Sequence, residues 1–245
     1  MKAGAGDGCG CFPTGRHYPG IAHLLKVAVR GVADEFPVDA EWRELKIALL
    51  DVETTGRDAS VDRVVELGIV IGQGGQVVAR HNWMINPGIP IPAEVQAIHG
   101  ISDADVKDSP RFEQVAQDIA KALEGCLPAA YNAPFDKAFV LAELSRAKVS
   151  GSAPGVRREV EWLDPLIWAR EIQSNEKSRA LGDVAARLGI KLENAHRAQD
   201  DAEAALMVFY ALGKDPRMPQ AYGALVQEQR RLAQQQADER RFWRS

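Results

Sequence analysis

Cysteine is scarce: the 245 residues hold three, Cys9, Cys11 and Cys126, too few for a disulfide framework. Long apolar runs are missing as well. No stretch approaches the roughly 20 apolar residues that span a bilayer. The start, MKAGAGDGCGCFPTG, lacks the apolar centre of a secretory signal, and the nearest candidate, Ile21 to Val29, is broken by His23 and Lys26. A soluble, cytoplasmic chain with no membrane partner is therefore expected. Excess positive charge is absent too. The net charge is −4 and the sequence pI about 5.8, which excludes a nucleic-acid binder held by bulk charge alone. It does not exclude an acidic metal site with basic residues around it.

What is present reads as one α/β domain with short appendages. Residues 1–20 carry six glycines and two prolines, a flexible composition with too little apolar content to pack. Residues 21–34 have a helical pattern through Ile21, Leu24, Leu25 and Val29. Together these make an N-terminal segment over 1–43, followed by a compact domain over 44–213. LKIALLDVE (45–53) is an apolar run suited to a strand buried on both faces. RVVELGIVIG (63–72) and QVVARHNWMI (76–85) flank the turn Gly74-Gly75, and the short links predict an antiparallel meander. Ser102 or Ser109 could cap a helix running through Phe112 to Leu123. A strand is expected at 127–133, a helix at 134–147 and a fifth strand at 159–165. Helices are expected near 166–172, 179–188 and 197–212, and the sum is a mixed sheet with helices packed on it. The tail, 214–245, has seven Lys/Arg to four Asp/Glu and is rich in glutamine; it reads as a weakly amphipathic, basic helix.

Three acidic stretches stand out. Asp51 and Glu53, in DVETTG, are two apart at the end of the first strand, so both side chains point to the same side. Buried like charges are costly unless a cation compensates them, and oxygen clusters suit Mg²⁺ or Mn²⁺. Alone, the pair reads equally as a solvated strand end. Asp136, in YNAPFDKAFV, lies in a first helical turn, where an acid also simply favours the helix dipole. Asn132 and Phe135 beside it offer an amide and a stacking ring. In NAHRAQDDAEAA, His196 precedes a helix and Asp201 lies near its first turn, an arrangement suited to a mobile general base beside a fixed ligand. Asp200 points about 100° away, so only one of the two acids can face a given site. In α/β chains strand ends and helix starts of this kind converge on one edge of the sheet.

The ordered set DVETTG (51–56), YNAPFD (131–136) and HRAQDD (196–201) resembles the DEDDh, or DnaQ-like, group of 3′→5′ exonucleases. That group includes the polymerase III epsilon proofreading subunit and ribonuclease T. INPGIPIPAEVQAIHGIS (85–102), LDPLIWAR (163–170) and LGDVAARLGI (181–190) are similar to its later segments. The resemblance covers about residues 45–212. It implies a ribonuclease H-like fold with a five-stranded sheet of order 3-2-1-4-5. It also implies two divalent metals (Mg²⁺ or Mn²⁺) on Asp51, Glu53, Asp136 and Asp201, with His196 as the base. The five-residue step from His196 selects Asp201 over Asp200. Thr54 and Thr55 match the loop against the terminal sugar, and His99, Asn132 and Phe135 match positions that touch the terminal nucleotides. The implied reaction is hydrolysis of the last phosphodiester at a 3′ end of DNA or RNA, giving 5′-monophosphates. An imidazole, with an ordinary pKa near about 6.5, is suited to the base role at neutral pH.

The expected enzyme acts alone. The alternatives are a repair or proofreading subunit docked through its tail on a DNA polymerase, and a non-catalytic nucleic-acid-binding module, which would have no need of a costly carboxylate cluster. The tail holds no QLxLF-like clamp motif. A second copy of the chain is another possible partner, with Phe242 and Trp243 available for docking. Cys9, Cys11, His17 and His23 could be assembled into a zinc site, but no hairpin or helix signal fixes them. Trp42, Trp83, Trp162 and Trp168 are read as packing residues. Arg230, Arg231, Arg240, Arg241 and Arg244 could contact phosphates or simply form a solvated face.

Overall fold

The structure, a computed structural model, describes residues 30–192 and 195–242. The glycine-rich start, the zinc candidates Cys9, Cys11, His17 and His23, and Trp243 and Arg244 lie outside the described residues. So does most of the segment read as a helix over 21–34. Its described part, 30–34, consists of turn and extended backbone, with Gly31 at a left-handed φ of 87°.

Three strands open the domain: β1 (Ile47–Thr54), β2 (Val64–Gln73) and β3 (Gln76–Met84). β2 runs antiparallel to both β1 and β3. Gly74 and Gly75, between β2 and β3, have φ of 61° and 81°, the double left-handed geometry whose twist suits a two-residue hairpin. Then come α1 (Ala93–His99), α2 (Asp103–Val106) and α3 (Phe112–Ala122). β4 (Leu127–Ala130) lies parallel to β1. The remaining helices are α4 (Ala133–Arg146), α5 (Pro165–Ile172), α6 (Leu181–Arg187), α7 (Ala198–Leu212) and α8 (Tyr222–Phe242). The sheet order is β3-β2-β1-β4, an α/β, ribonuclease H-like mixed sheet with flanking helices. α1 and α2, at seven and four residues, are too short for helical periodicity to show in the sequence. Ser102 caps α2, whereas α3 starts after Arg111.

The fifth strand is a correction. Of the segment 159–165, only Leu163 bridges to the sheet, in parallel with Ala129. That is the place the expected order assigns, but the strand stops at once. Asp164 turns to cap α5, accepting the Leu166 N–H at 2.9 Å, and Pro165 sets the first helical turn. The outer side of the segment is closed by a side chain. Gln229 of α8, fully buried, accepts the Asp164 N–H at 2.8 Å and donates to the Trp162 carbonyl at 2.9 Å. One amide group thus does for this edge what a further strand would do.

Strand alternation on β1 divides the core. Ile47 and Leu49 face a cluster built with Trp168, Ala202, Leu206 and Phe209 from α5 and α7. Ala48, Leu50 and Val52 face the other cluster, with Phe112, Ile119, Phe139 and Val140 from α3 and α4. Burial on both faces explains the unbroken apolar run of β1. The flanking segments join the first cluster through Trp42, Met218, Tyr222, Leu225, Val226 and Leu232. They also pair with each other, Tyr222 and Gly223 N–H to the carbonyls of Ala40 and Val38 at 2.9 and 2.8 Å. The first half of α8 is therefore core; its basic second half reaches solvent.

Gly68, directly opposite Asp51 on β2, sets how close α7 can come. A Cβ there would lie 2.4 Å from the Gln199 nitrogen and 2.5 Å from the Ala198 carbonyl carbon. Backbone cannot yield as a side-chain tip can. Gly68→Ala is expected to destabilise the protein by about 1–3 kcal/mol, the range for overpacking, by pushing the start of α7 off the sheet. Thermal melting checks this; an unchanged midpoint would show that α7 is not seated through that gap.

Candidate active site

Alternation on β1 places Asp51 and Glu53 on the Ile47/Leu49 face, the face α7 covers. Both are half-buried. Pairing with β4 stops at Leu50–Ala130. Past that point the Val52 N–H donates to Asp136 Oδ1 at 3.1 Å. Asp136, 3% exposed, thus reaches the end of β1 from α4, on the opposite face of the sheet. The chain enters α4 through Asn132, whose φ of 73° is a left-handed value that asparagine tolerates. Asp164 holds this turn, accepting the N–H of Asn132 at 3.0 Å and of Ala133 at 3.1 Å.

The third arm is the turn before α7. His196 also has a left-handed φ, 69°, and its N–H donates to Asp201 Oδ2 at 3.0 Å. One possible ligand atom from each of Glu53, His196 and Asp201 lies within 4.8 Å of the others. Asp201, rather than Asp200, is the member of this group. The imidazole itself is on an exposed residue.

Burial and mutual repulsion both raise the proton affinity of these acids. Asp51 is held well above the usual carboxylate range, first by burial, then by the charges of Asp136, Asp201, Glu53 and Glu66. Glu53 is pushed up to about 8 by burial and by Asp201 and Glu66, with Arg197 opposing. Asp136 is raised by burial against the pull of its backbone hydrogen bonds. Asp201 is raised by burial, opposed by the His196 N–H and imidazole. An all-oxygen group of buried, mutually repelling carboxylates with an imidazole at its rim fits hard divalent cations, which would relieve the repulsion the protein leaves uncompensated.

The remaining sequence candidates divide. His99 is 5% exposed at the end of α1; its Nδ1 accepts the Ile101 N–H at 3.0 Å and burial lowers its proton affinity. Thr54 and Thr55 are buried, and their hydroxyls serve the loop: Thr54 donates to the Gly56 carbonyl at 2.5 Å and Thr55 to Asp62 at 3.2 Å. These two shape the loop that leaves β1. Asn132 is exposed, and Phe135 is half-buried with its ring tilted against Phe139, 4.9 Å between centroids.

Two supports were not anticipated from the sequence. Glu66, 1% exposed and opposite Glu53 on β2, accepts both forks of Arg197 at 3.1 and 2.9 Å, the Asn82 amide at 2.9 Å and the Ala198 N–H at 3.4 Å. It thereby anchors the residue next to His196. Its signal was a lone acid in the run RVVELGIVIG. The other support is Asp164 with Gln229, for which no local signal existed, because the partners lie 65 residues apart.

A family model described as Exonuclease (RNase_T) matches residues 49–209. The 3′-5′ exonuclease DinG of Staphylococcus saprophyticus is 30% identical over 155 residues, covering 63% of this chain and 17% of that protein. The PolC-type DNA polymerase III of Streptococcus thermophilus is 29% identical over 212 residues, covering 83% of this chain and 14% of that protein. The chain therefore spans only a small part of the length of these relatives. Among solved structures, E. coli exonuclease I in complex with a dA16 oligonucleotide aligns with a TM-score of 0.62 at 17% identity, over 71% of this chain and 42% of that one. Exonuclease X in complex with 5′ overhanging duplex DNA aligns at 0.55 and 20% identity, over 74% and 99%. At these identities the structural likeness speaks for the fold.

The raised acids fix a dependence on pH. With divalent cations chelated, the folded chain keeps protons that the unfolded chain releases near the ordinary glutamate value of 4.5. Stability is then expected to fall as pH rises from about 4.5 through about 8. Saturating Mg²⁺ or Mn²⁺ should flatten the decline, since the cation replaces the protons. Thermal midpoints against pH, with chelator and with cation, check this. A midpoint that climbs across that interval in chelator would contradict the clustering of the acids.

Proposed function

The chain belongs to the RNase_T exonuclease family, by the match over residues 49–209, and on that premise we propose that it is a metal-dependent 3′→5′ exonuclease. It hydrolyses the terminal phosphodiester of DNA or RNA and releases nucleoside 5′-monophosphates. One observation carries this reading: Glu53, His196 and Asp201 converge within 4.8 Å in the field of Asp51 and Asp136.

Asp51, Glu53, Asp136 and Asp201 would hold two divalent cations, Mg²⁺ or Mn²⁺. When bound, these would polarise the scissile phosphate and stabilise the charge that develops on the departing 3′-oxygen. The protein's own groups do the rest. His196, exposed at the rim on a left-handed turn, takes the proton of the attacking water. The water oxygen bonds to phosphorus as the bond from phosphorus to the 3′-oxygen breaks, and that oxygen takes a proton from solvent and leaves as a hydroxyl. The Glu66–Arg197 pair fixes the backbone next to the base and leaves the imidazole free to move. The Thr54–Thr55 loop, stiffened by its own hydroxyls, and the buried His99 form a wall for the terminal nucleotide. Asn132 and Phe135 approach from the start of α4. Acids, base and wall all come from this one chain, which supports hydrolysis without a partner. The likeness to a segment of a PolC-type polymerase supports a second setting, as a proofreading part of a polymerase assembly.

Asp51→Ala and Asp201→Ala are expected to fold and to lose Mg²⁺- or Mn²⁺-dependent shortening of 5′-labelled DNA and RNA oligonucleotides. His196→Ala should lose about 10²–10⁴-fold in rate, the range for a general base, with a smaller effect on cation binding. Wild-type rates in both aspartate variants would overturn the metal assignment, and a flat response to His196→Ala across neutral pH would overturn the base.

A further inference from the structure

A second feature lies on the β4 side of the acids. A cleft of about 550 Å³ is lined by Tyr131, Asn132, Leu166, Arg170, Arg179 and Leu181, among others. It shares Asn132 with the site, four residues before Asp136. Its lining mixes apolar side chains (Leu166, Ala180, Leu181) with polar ones, and its charged groups are guanidinium. Among the described residues, no ion pair involves Arg170, Arg179, Arg187 or Arg240. Asp164, the acid next to Arg170, already accepts the N–H groups of Asn132, Ala133 and Leu166. Arg179 holds the Ser174 carbonyl through one terminal nitrogen, while its Nε is shielded from water without an acceptor. Arg240, exposed on the last turns of α8, and Arg179 are both near enough to Arg170 to lower its proton affinity, after the larger effect of burial. These charges repel one another and want an anion.

Position says which anion. β1 lies between β2 and β4. The His99 wall lies toward β2, close enough for Glu66 to act on its imidazole, and the arginine cleft lies toward β4. A strand whose 3′ end meets the His99 wall and whose last phosphodiester meets the acids therefore continues toward the cleft. A volume of this size falls within the usual range for small-ligand clefts, about 300–1,000 Å³; it admits a nucleotide or two of a single strand and no duplex. The Tyr131 ring and the leucines beside guanidinium groups match the bases and phosphates of such a strand.

We propose that Arg170 and Arg179, with Arg240 as an outer contact, form a subsite for the phosphates of a single nucleic-acid strand upstream of the scissile bond. The proposal rests on the exonuclease reading and adds to it named contacts for the strand upstream of the cut. It also assigns a role to the basic half of α8, which reaches Arg170 through Arg240.

The test uses the full-length protein with 5′-fluorescein-labelled oligothymidylate, oligouridylate and a blunt duplex. Anisotropy in chelator gives the dependence of affinity on salt; degradation in Mg²⁺ or Mn²⁺ gives kcat and KM. Arg170→Gln and Arg179→Gln are each expected to weaken single-strand binding about tenfold, as for loss of a charged hydrogen bond. Each should reduce the salt slope by about 0.7, the value for one phosphate on a single strand. The loss should appear in KM. Arg240→Gln, on an exposed residue that cannot disturb folding, should act in the same direction with smaller size. The duplex should bind more weakly than the single strands to wild type and be indifferent to all three changes. If wild type degrades the single strands and all three variants keep its KM and salt slope, the subsite is overturned and the exonuclease reading stands. If wild type neither binds nor degrades any of the probes, both fall.

Discussion

Four carboxylates gathered at the end of one buried strand repel one another, and much of the surrounding structure is organised around that repulsion. Burial and mutual charge push Asp51, Glu53, Asp136 and Asp201 toward their protonated forms. Backbone N–H groups offset part of this, from Val52 to Asp136 and from His196 to Asp201. Asp136 and Asp201 also lie in first helical turns, where the dipole favours negative charge. What remains uncompensated is affinity for a cation. A bound divalent cation would relieve this strain.

The arms of the site are held by groups that are not in it. Glu66 grips Arg197, and with it the turn that carries His196. Asp164 grips the turn before α4, and Gln229 grips Asp164. Gly68 lets α7 settle on the sheet so that Asp201 reaches Glu53. These contacts connect α8 to the start of α4 through two buried side chains. The flanking segments thus belong to the architecture of the site, although they lie outside the family match.

On the proposed reading, an acidic centre with an arginine cleft beside it would let a chain that is acidic overall take nucleic acid. Net charge is a poor guide here, because the carboxylates and the unpaired guanidinium groups are segregated on one edge of the sheet. The local field, and not the sum, is what a bound strand would meet.

By itself the sequence determined the strands β1 to β3 and their meander, because apolar runs and the Gly74-Gly75 turn are local signals. It singled out the acids and His196 as candidates as well, since three short motifs in fixed order carried the resemblance. The five-residue step from His196 distinguished Asp201 from Asp200 before any geometry was known. Tertiary structure alone decided the rest. The fifth strand shrank to one bridge because Asp164 caps a helix and Gln229 satisfies the edge. The threonine hydroxyls turned inward to their own loop. Glu66 met Arg197, and Arg170 came near Arg240, across long stretches of chain. Local periodicity reports which residues want burial, but which polar groups then meet is set by long-range packing, and that information is spread over segments that look unremarkable on their own.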